Sequence, residues 1–153
     1  MSAREDKLRE LGLHLPEVVT PLAAYVPAVR TGNLIFVSGQ VPIVDGKMLL
    51  TGKVGAEVTP EQAHGLAQRA ALNGIAAAAA EAGGLDRITR VVKVTGYVAS
   101  TPDFTGHPAV INGASDLIGQ VFGEAGAHAR AAVGVAALPL DAPVEVEMIV
   151  EVE

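Results

Sequence analysis

The sequence predicts an α+β fold in which two helices cover one face of a mixed β-sheet. The predicted elements follow the order strands, helix, strand, helix and two strands, which is typical of helices gathered on one side of a sheet. Half of the 153 residues are hydrophobic, with 17 Gly and only 3% aromatics. Because most of the apolar side chains are small, the helices can approach the sheet closely.

The first residues predict a short charged helix over positions 3–11, with Leu8 and Leu11 as its apolar edge and Gly12 at its end. We treat residues 1–20 as an N-terminal helical extension and residues 21–153 as one domain. The length is sufficient for a single domain with its own core.

The first strands are predicted in AVRTGNLIFVSGQVPI, residues 28–43, where two extended runs flank the turn RTGN. The run LIFV, residues 34–37, is apolar throughout, so we predict a strand buried on both faces. Asp45 and Gly46 predict a second tight turn shortly afterwards.

The clearest helix begins at Thr59, which is predicted to cap it, with Pro60 at the first helical position and Gln62 completing a capping box. Gly83 and Gly84 are predicted to end it. The predicted inner face contains Ala63, Leu66, Ala70 and Ala77.

The next predicted strand, RVVKVTGYVAS at residues 90–100, alternates between two environments. One face is predicted to hold Val92, Val94, Gly96 and Val98, and the other Lys93, Thr95 and Tyr97. After a loop, residues 109–126 predict the second helix.

Two strands close the chain. In the first, Arg130 shares a face with the small residues Ala132, Gly134 and Ala136. In the second, one face holds Val144, Val146, Met148, Val150 and Val152, and the other holds Glu145, Glu147, Ile149, Glu151 and Glu153. No predicted element covers the second face of the sheet, so we expect a homo-oligomer that buries it.

Composition excludes several classes of function. The formal net charge of −6 and the scarcity of aromatics disfavour nucleic acid as a partner. The four histidines, His14, His64, His107 and His128, have no metal-ligand spacing, and no cofactor fingerprint is visible, so we predict neither a metal nor a cofactor. Ser38 lacks a His–Asp partner nearby, which disfavours a serine hydrolase. With no Cys, no signal-peptide core and no membrane-spanning segment, we expect a cytoplasmic protein without a membrane partner.

Arg130 is the leading candidate for a binding residue. Small neighbours leave room around its guanidinium, whose fork matches a carboxylate in a way that a lysine does not. The alternative is a surface arginine at the start of a strand. Glu145 and Glu147 either belong to a solvated face or approach a partly buried site, where a carboxylate could hold a water or transfer a proton.

Two motifs carry a resemblance to a known family. AYVPAVRTGNLIFVSGQVPI, residues 24–43, and HARAAVGVAALPLDAPVEVEMI, residues 128–149, resemble the N- and C-terminal signatures of the RidA/YjgF family of reactive enamine/imine deaminases, also described as endoribonuclease L-PSP-like. The C-terminal signature begins His128-Ala-Arg-Ala here, where members commonly have Pro-Ala-Arg-Ser. The longer loop after residue 100 and the N-terminal helix indicate a divergent branch.

The resemblance implies a chorismate-mutase-like fold, a homotrimer with an inner β-barrel, and ligand clefts between subunits. It also implies a hydrolase that converts 2-aminoacrylate and 2-iminobutanoate into a 2-keto acid and ammonia. By the same resemblance, Arg130 binds the substrate carboxylate and Glu145 positions the water. The substrate-binding residues that it implies are Tyr25, Ser38, Gly39, Asn112 and Ala132.

Other functions remain open at this point. A trimer that binds a keto or imino acid without turnover is the main alternative to the deaminase. An endoribonuclease fits poorly with the negative charge. A chorismate mutase would need several cations around two carboxylates, and only one well-placed arginine is found in the sequence.

Overall fold

A computed structural model describes residues 2–153; Met1, which the predicted N-terminal extension includes, lies outside the described residues. The elements, in chain order, are α1 (Ala3–Glu10), β1 (Ala28–Thr31), β2 (Leu34–Gln40), β3 (Ile43–Val44), β4 (Lys47–Met48), α2 (Pro60–Ala82), β5 (Ile88–Ala99), α3 (His107–Phe122), β6 (Ala129–Val135) and β7 (Val144–Val152).

Five of the strands form one sheet in the order β1-β2-β7-β5-β6. Strands β5 and β6 are parallel, and the other neighbouring pairs are antiparallel. The predicted α+β class and mixed sheet are therefore confirmed. Strands β3 and β4 form a separate hairpin whose turn residues, Asp45 and Gly46, have φ angles of 51° and 80°. Such positive values are those of a tight hairpin turn, as the sequence predicted.

Helix α2 forms where its sequence predicts it. The Thr59 hydroxyl accepts a hydrogen bond from the Gln62 backbone N–H at 3.1 Å, and the Gln62 side chain accepts one from the Thr59 N–H at 2.9 Å. The helix ends at Gly83, whose φ of 88° lies in the left-handed region. The predicted inner face is buried.

Helices α2 and α3 pack against one face of the sheet. Buried and half-buried residues alternate along β7, as expected for a strand with one face under the helices. Its five predicted inward residues are Val144, Val146, Met148, Val150 and Val152, and all are buried. The two helices meet closely at Gly113 of α3, where a Cβ atom would lie only 1.9 Å from the backbone oxygen of His64 in α2.

Three predictions about individual elements were wrong. Strand β2 is buried on one face only, since Phe36 is 44% exposed between buried Ile35 and Val37. In β5, a bulge between Val91 and Lys93 places Val91 in the core and leaves Val92 half-buried. Helix α3 begins two residues before Ala109, because Pro108 is compatible with the first turn of a helix.

Helix α1 is attached to this unit through its own contacts. Leu8 is only 2% exposed and belongs to the core. Arg4 lies 4.7 Å from the centre of the Phe122 ring and donates hydrogen bonds to the backbone oxygens of Leu85 and Ile88. The fold therefore has a third helix beyond the two that cover the sheet.

The second face of the sheet is not covered by any element within residues 2–153. Exposed apolar side chains on it include Val29, Phe36 and Val133. In the same range, no helix has both the length and the apolar character needed to cross a membrane.

Candidate functional site

The residues singled out from the sequence fall into two groups on opposite faces of the sheet. Arg130 pairs with Val94, a core residue beneath the helices, whereas Glu145 pairs with Tyr97 on the uncovered face. Along the strand direction the two positions are three residues apart, and across the sheet they are two strands apart, because β5 lies between β6 and β7. These offsets give a distance of roughly 14 Å between the two Cα atoms. Within one chain the two side chains cannot bind the same small molecule.

Helix α3 holds the guanidinium of Arg130. One terminal nitrogen, Nη1, donates to Asn112 Oδ1 at 2.8 Å and to Ser115 Oγ at 3.2 Å, and Nη2 donates to the Pro108 backbone oxygen at 3.4 Å. None of the ion pairs found within residues 2–153 involves Arg130. The side chain is thus oriented by neutral groups, and its positive charge remains available to a ligand.

A histidine extends this arrangement by one step. His128 Nδ1 lies 2.6 Å from the Gly126 backbone oxygen, and Nε2 lies 2.9 Å from Ser115 Oγ. Because a backbone oxygen only accepts, Nδ1 must carry a proton, and in the neutral ring Nε2 accepts the Ser115 hydroxyl proton. The Ser115 lone pairs are then free to accept from Arg130. His128 therefore fixes Ser115, and Ser115 helps to fix Arg130.

Ser115 was not predicted from the sequence, although a signal was present. Pro108, Asn112 and Ser115 are spaced four and three residues apart, so they lie on one side of α3. The role of Asn112 came only from the family resemblance. A search for polar residues at helical spacing from Asn112 would have found Ser115.

The space beside Arg130 differs from the expectation that small neighbours leave it open. A Cβ at Gly134 would lie 2.5 Å from His107 Nε2, so the imidazole of His107 occupies that place. His107 Nε2 also lies 3.2 Å from Ser100 Oγ. Ala132 is half-buried against the core. The glycine therefore makes room for a histidine of the protein itself.

The second group surrounds Glu145. Burial raises the pKa of the Glu145 carboxyl, and the negative charge of Glu147 raises it further. A Cβ at Gly39 would lie 2.6 Å from Glu145 Oε2, so a glycine is needed for the carboxyl to lie here. Ser38 donates from Oγ to the Val26 backbone oxygen at 2.6 Å, which attaches the segment before β1 to β2.

A cavity of about 760 Å³ adjoins this second group. Its walls include Tyr25, Ser38, Gly39 and Glu145, together with parts of the segment 14–21, the β3–β4 hairpin and helix α2. Four of the seven site residues from the sequence therefore share one cavity. Arg130, Asn112 and Ala132 are not among its walls. In the described part of the chain, no cluster of His, Asp and Glu side chains is arranged to hold a metal ion.

Tyr97 and Glu147 form a coupled pair on the uncovered face. The Tyr97 hydroxyl donates a hydrogen bond to the Glu147 carboxylate, and that bond, burial and the nearby negative charges raise the pKa of Tyr97 to about 12. The phenol in the unfolded chain ionises near pH 10. The folded state therefore gains stability from the neutral phenol below about pH 10 and loses it as the pH rises towards 12.

This pair gives a direct pH prediction. The chain has two tyrosines, so a Tyr25→Phe variant has Tyr97 as its single ionising phenol. Titration of tyrosinate absorbance in the ultraviolet should show a midpoint near pH 12. Adding Glu147→Gln should lower the midpoint, because the charged acceptor is removed. A midpoint near pH 10 before that second change would contradict the pairing.

Three comparisons with known proteins agree on one group of relatives. Residues 5–152 match the family model described as "YjgF/chorismate_mutase-like, putative endoribonuclease". Protein TCP17 of Trypanosoma cruzi is 46% identical over 145 residues, which cover 94% of this chain and 91% of that protein. A 2-iminobutanoate/2-iminopropanoate deaminase of Dermatophagoides farinae is 34% identical over 139 residues, or 90% and 93% of the two chains. A crystal structure of a protein of unknown function from Agrobacterium tumefaciens is 48% identical, covers 97% of this chain and 91% of its own, and superposes with a TM-score of 0.89.

Proposed function

Because this chain belongs to the YjgF/RidA family, with its chorismate-mutase-like α+β fold, we propose that it hydrolyses reactive 2-imino and enamine acids such as 2-iminobutanoate and 2-aminoacrylate. The products are the 2-keto acid and ammonia. The observation that carries the proposal is Arg130: a guanidinium held by three neutral oxygens of α3 and left without a carboxylate partner among residues 2–153.

Arg130 has the properties of a carboxylate receptor. Its bonds to Asn112, Ser115 and Pro108 fix the plane of the guanidinium before a ligand arrives. A guanidinium in a fixed plane can bind a carboxylate through two parallel N–H···O bonds. Because the C=N carbon of a 2-imino acid is bonded to the carboxylate carbon, anchoring the carboxylate also fixes the position of the C=N carbon in the site.

We propose that the complete site is formed by two copies of the chain in a homotrimer with an inner β-barrel. The groups of Arg130 and Glu145 lie on opposite faces of the sheet. The two groups of one complete site must therefore come from two different copies. The exposed apolar residues Val29, Phe36 and Val133 on the uncovered face are suited to the contact between copies. In this arrangement Arg130 of one copy faces the cavity that contains Glu145 of the next.

The chemical step requires little beyond orientation and one base. A water adjacent to the Glu145 carboxylate adds its oxygen to the C=N carbon while the carboxylate takes a proton from it, and the resulting carboxylic acid passes that proton to the nitrogen, which gives a carbinolamine. The carboxylate then takes the hydroxyl proton of the carbinolamine and passes it to the nitrogen as the C=O bond forms and the C–N bond breaks, so that ammonia leaves and the Glu145 carboxylate is regenerated. The raised pKa of Glu145 makes it a stronger base. Orientation of water and imine supplies the rest of the acceleration.

The experiment combines the purified protein with threonine and a threonine dehydratase, which releases 2-iminobutanoate, in the presence of semicarbazide. Semicarbazide traps the imine that has not been hydrolysed. A deaminase lowers the rate at which the trapped product accumulates and raises the rate of 2-ketobutanoate release. If the protein binds 2-ketobutanoate yet leaves both rates unchanged, the function is binding without turnover and the proposal fails.

A further inference from the structure

Arg69, on helix α2, lies in the wall of the same cavity as Tyr25 and Glu145. Its Nε atom is enclosed by the protein, and no hydrogen-bond acceptor for it is found within residues 2–153. Arg69 takes part in none of the ion pairs of that range. A guanidinium with these properties was not among the residues that the sequence singled out.

An enclosed guanidinium N–H without an acceptor is costly, because its interaction with water is lost and nothing replaces it. Three carboxylates, those of Glu17, Asp45 and Glu145, also line the cavity, but none forms an ion pair with Arg69. Arg69 therefore has no direct carboxylate partner within residues 2–153. The enclosed Nε atom cannot itself reach a ligand, whereas the terminal nitrogens of Arg69, for which no hydrogen bond is found within residues 2–153, are left to contact one in the cavity.

The wall around Arg69 is anchored by its neighbour one helical turn later. The side-chain amide of Asn73 donates to the backbone oxygens of Val41 at 3.1 Å and of Ile43 at 3.0 Å. These bonds join α2 to the start of the β3–β4 hairpin. Arg69 and Asn73 are four residues apart, so they lie on the same side of the helix. The guanidinium is thus presented from a fixed surface.

The cavity of one copy has room for a ligand larger than a four-carbon acid. Its volume of about 760 Å³ is within the range of about 300–1,000 Å³ found for sites of drug-sized ligands. If the partner copy's guanidinium binds the carboxylate next to the imine, the side chain of the substrate can extend into this cavity. Arg69 is the permanently charged cation in the walls of that space.

We propose that Arg69 is a second anion subsite, which binds an acidic group at the end of the substrate side chain. The preferred substrates are then 2-imino acids that carry a side-chain carboxylate. This inference rests on the proposed function, since it assigns the first carboxylate to Arg130. It adds the substrate class to the reaction already described.

The test measures binding of two stable 2-keto acids by calorimetry: 2-oxoglutarate, which has a side-chain carboxylate, and 2-oxobutanoate, which has none. The unaltered protein should bind the dicarboxylate at least tenfold more tightly. Arg69→Gln should weaken dicarboxylate binding by roughly 10- to 100-fold, since a hydrogen-bonded charge is removed. Arg69→Lys keeps a positive charge without the planar fork of the guanidinium, so its affinity for the dicarboxylate should be intermediate. Arg87→Gln is the matched control, because it removes an exposed arginine outside the cavity.

Equal affinity for the two acids in the unaltered protein, or a preference that survives in Arg69→Gln, would overturn the subsite. Thermal unfolding of each variant shows that it is folded before its affinity is read. The proposed function is tested separately. It is wrong if 2-iminobutanoate hydrolysis keeps its uncatalysed rate in the presence of the protein, whichever of the two keto acids binds more tightly. If the protein catalyses 2-iminobutanoate hydrolysis but does not prefer the dicarboxylate, only the assignment of Arg69 as a subsite is wrong.

Discussion

Arg130→Ala is expected to lower kcat/KM for 2-iminobutanoate hydrolysis by about 30-fold or more, because a charge-assisted anchor of a carboxylate contributes roughly 2–5 kcal/mol when its site excludes water. The loss should include a higher KM, since the substrate carboxylate is bound before the reaction and during it. Steady-state kinetics across a range of substrate concentrations separates the two effects.

Two further variants make this prediction specific. Arg130→Lys keeps the positive charge but cannot reproduce the bonds to Asn112 and Ser115 together with a bidentate contact to the ligand, so its activity should fall between those of Arg130 and Arg130→Ala. Arg87→Ala removes an exposed arginine outside the cavity and should match the unaltered protein. A fully active Arg130→Ala variant would show that Arg130 is not the anchor.

Gly113→Ala is expected to lower the free energy of unfolding by about 3 kcal/mol, the upper part of the range for overpacked cores. A Cβ at this position would lie 1.9 Å from the backbone oxygen and 2.9 Å from the backbone carbon of His64. Because the obstructing atoms belong to the backbone of α2, no side-chain rotation relieves the contact. The two helices must move apart, which reduces their packing on each other and on the sheet.

Gly119→Ala is the matched control in the same helix, since no atom lies within 4 Å of the place where its Cβ would be. It should be neutral or stabilise the protein by up to about 1 kcal/mol, because alanine has the higher helix propensity. Urea unfolding at equilibrium measures both variants. Equal stability of the two would mean that the α2–α3 contact is looser than described.

The parts of the fold that follow from local chemistry were predictable from the sequence. The cap of α2 depends on Thr59, Pro60 and Gln62, which lie side by side in the chain, and its end depends on Gly83. The alternation of β7 was equally clear, because one of its faces is apolar throughout. In each case the residues that decide the structure are close together in sequence.

The errors arose where the structure depends on distant neighbours. Phe36 lies in a run that reads as fully buried, yet the sheet has helices on one face only, and Phe36 points to the other. The bulge at Val92 depends on how β5 pairs with β7, which no local pattern reveals. Both errors concern the pairing and the covering of strands rather than their existence.

The candidate site was predictable only in part for the same reason. Arg130 and Glu145 were identified, but their location on opposite faces depends on the register of β6 and β7 with β5. Arg69 lies in the interior of a helix whose other residues are mostly small, so nothing in its sequence context marks it. Its distinctive property, a buried donor without an acceptor in residues 2–153, exists only in the folded chain.

The most direct test of a site shared between copies is complementation of two inactive variants. Arg130→Ala and Glu145→Ala chains, carrying different affinity tags, are produced together, and oligomers that contain both tags are purified. In a closed ring, a site is complete when the copy that supplies Arg130 is the Glu145→Ala variant and the copy that supplies Glu145 is the Arg130→Ala variant. Random mixing of equal parts therefore makes about one site in four complete. A site shared between copies should give about a quarter of the unaltered activity in an unfractionated mixture of equal parts, and at least as much in the purified mixed oligomers. Activity no higher than the average of the two variants measured alone would contradict it.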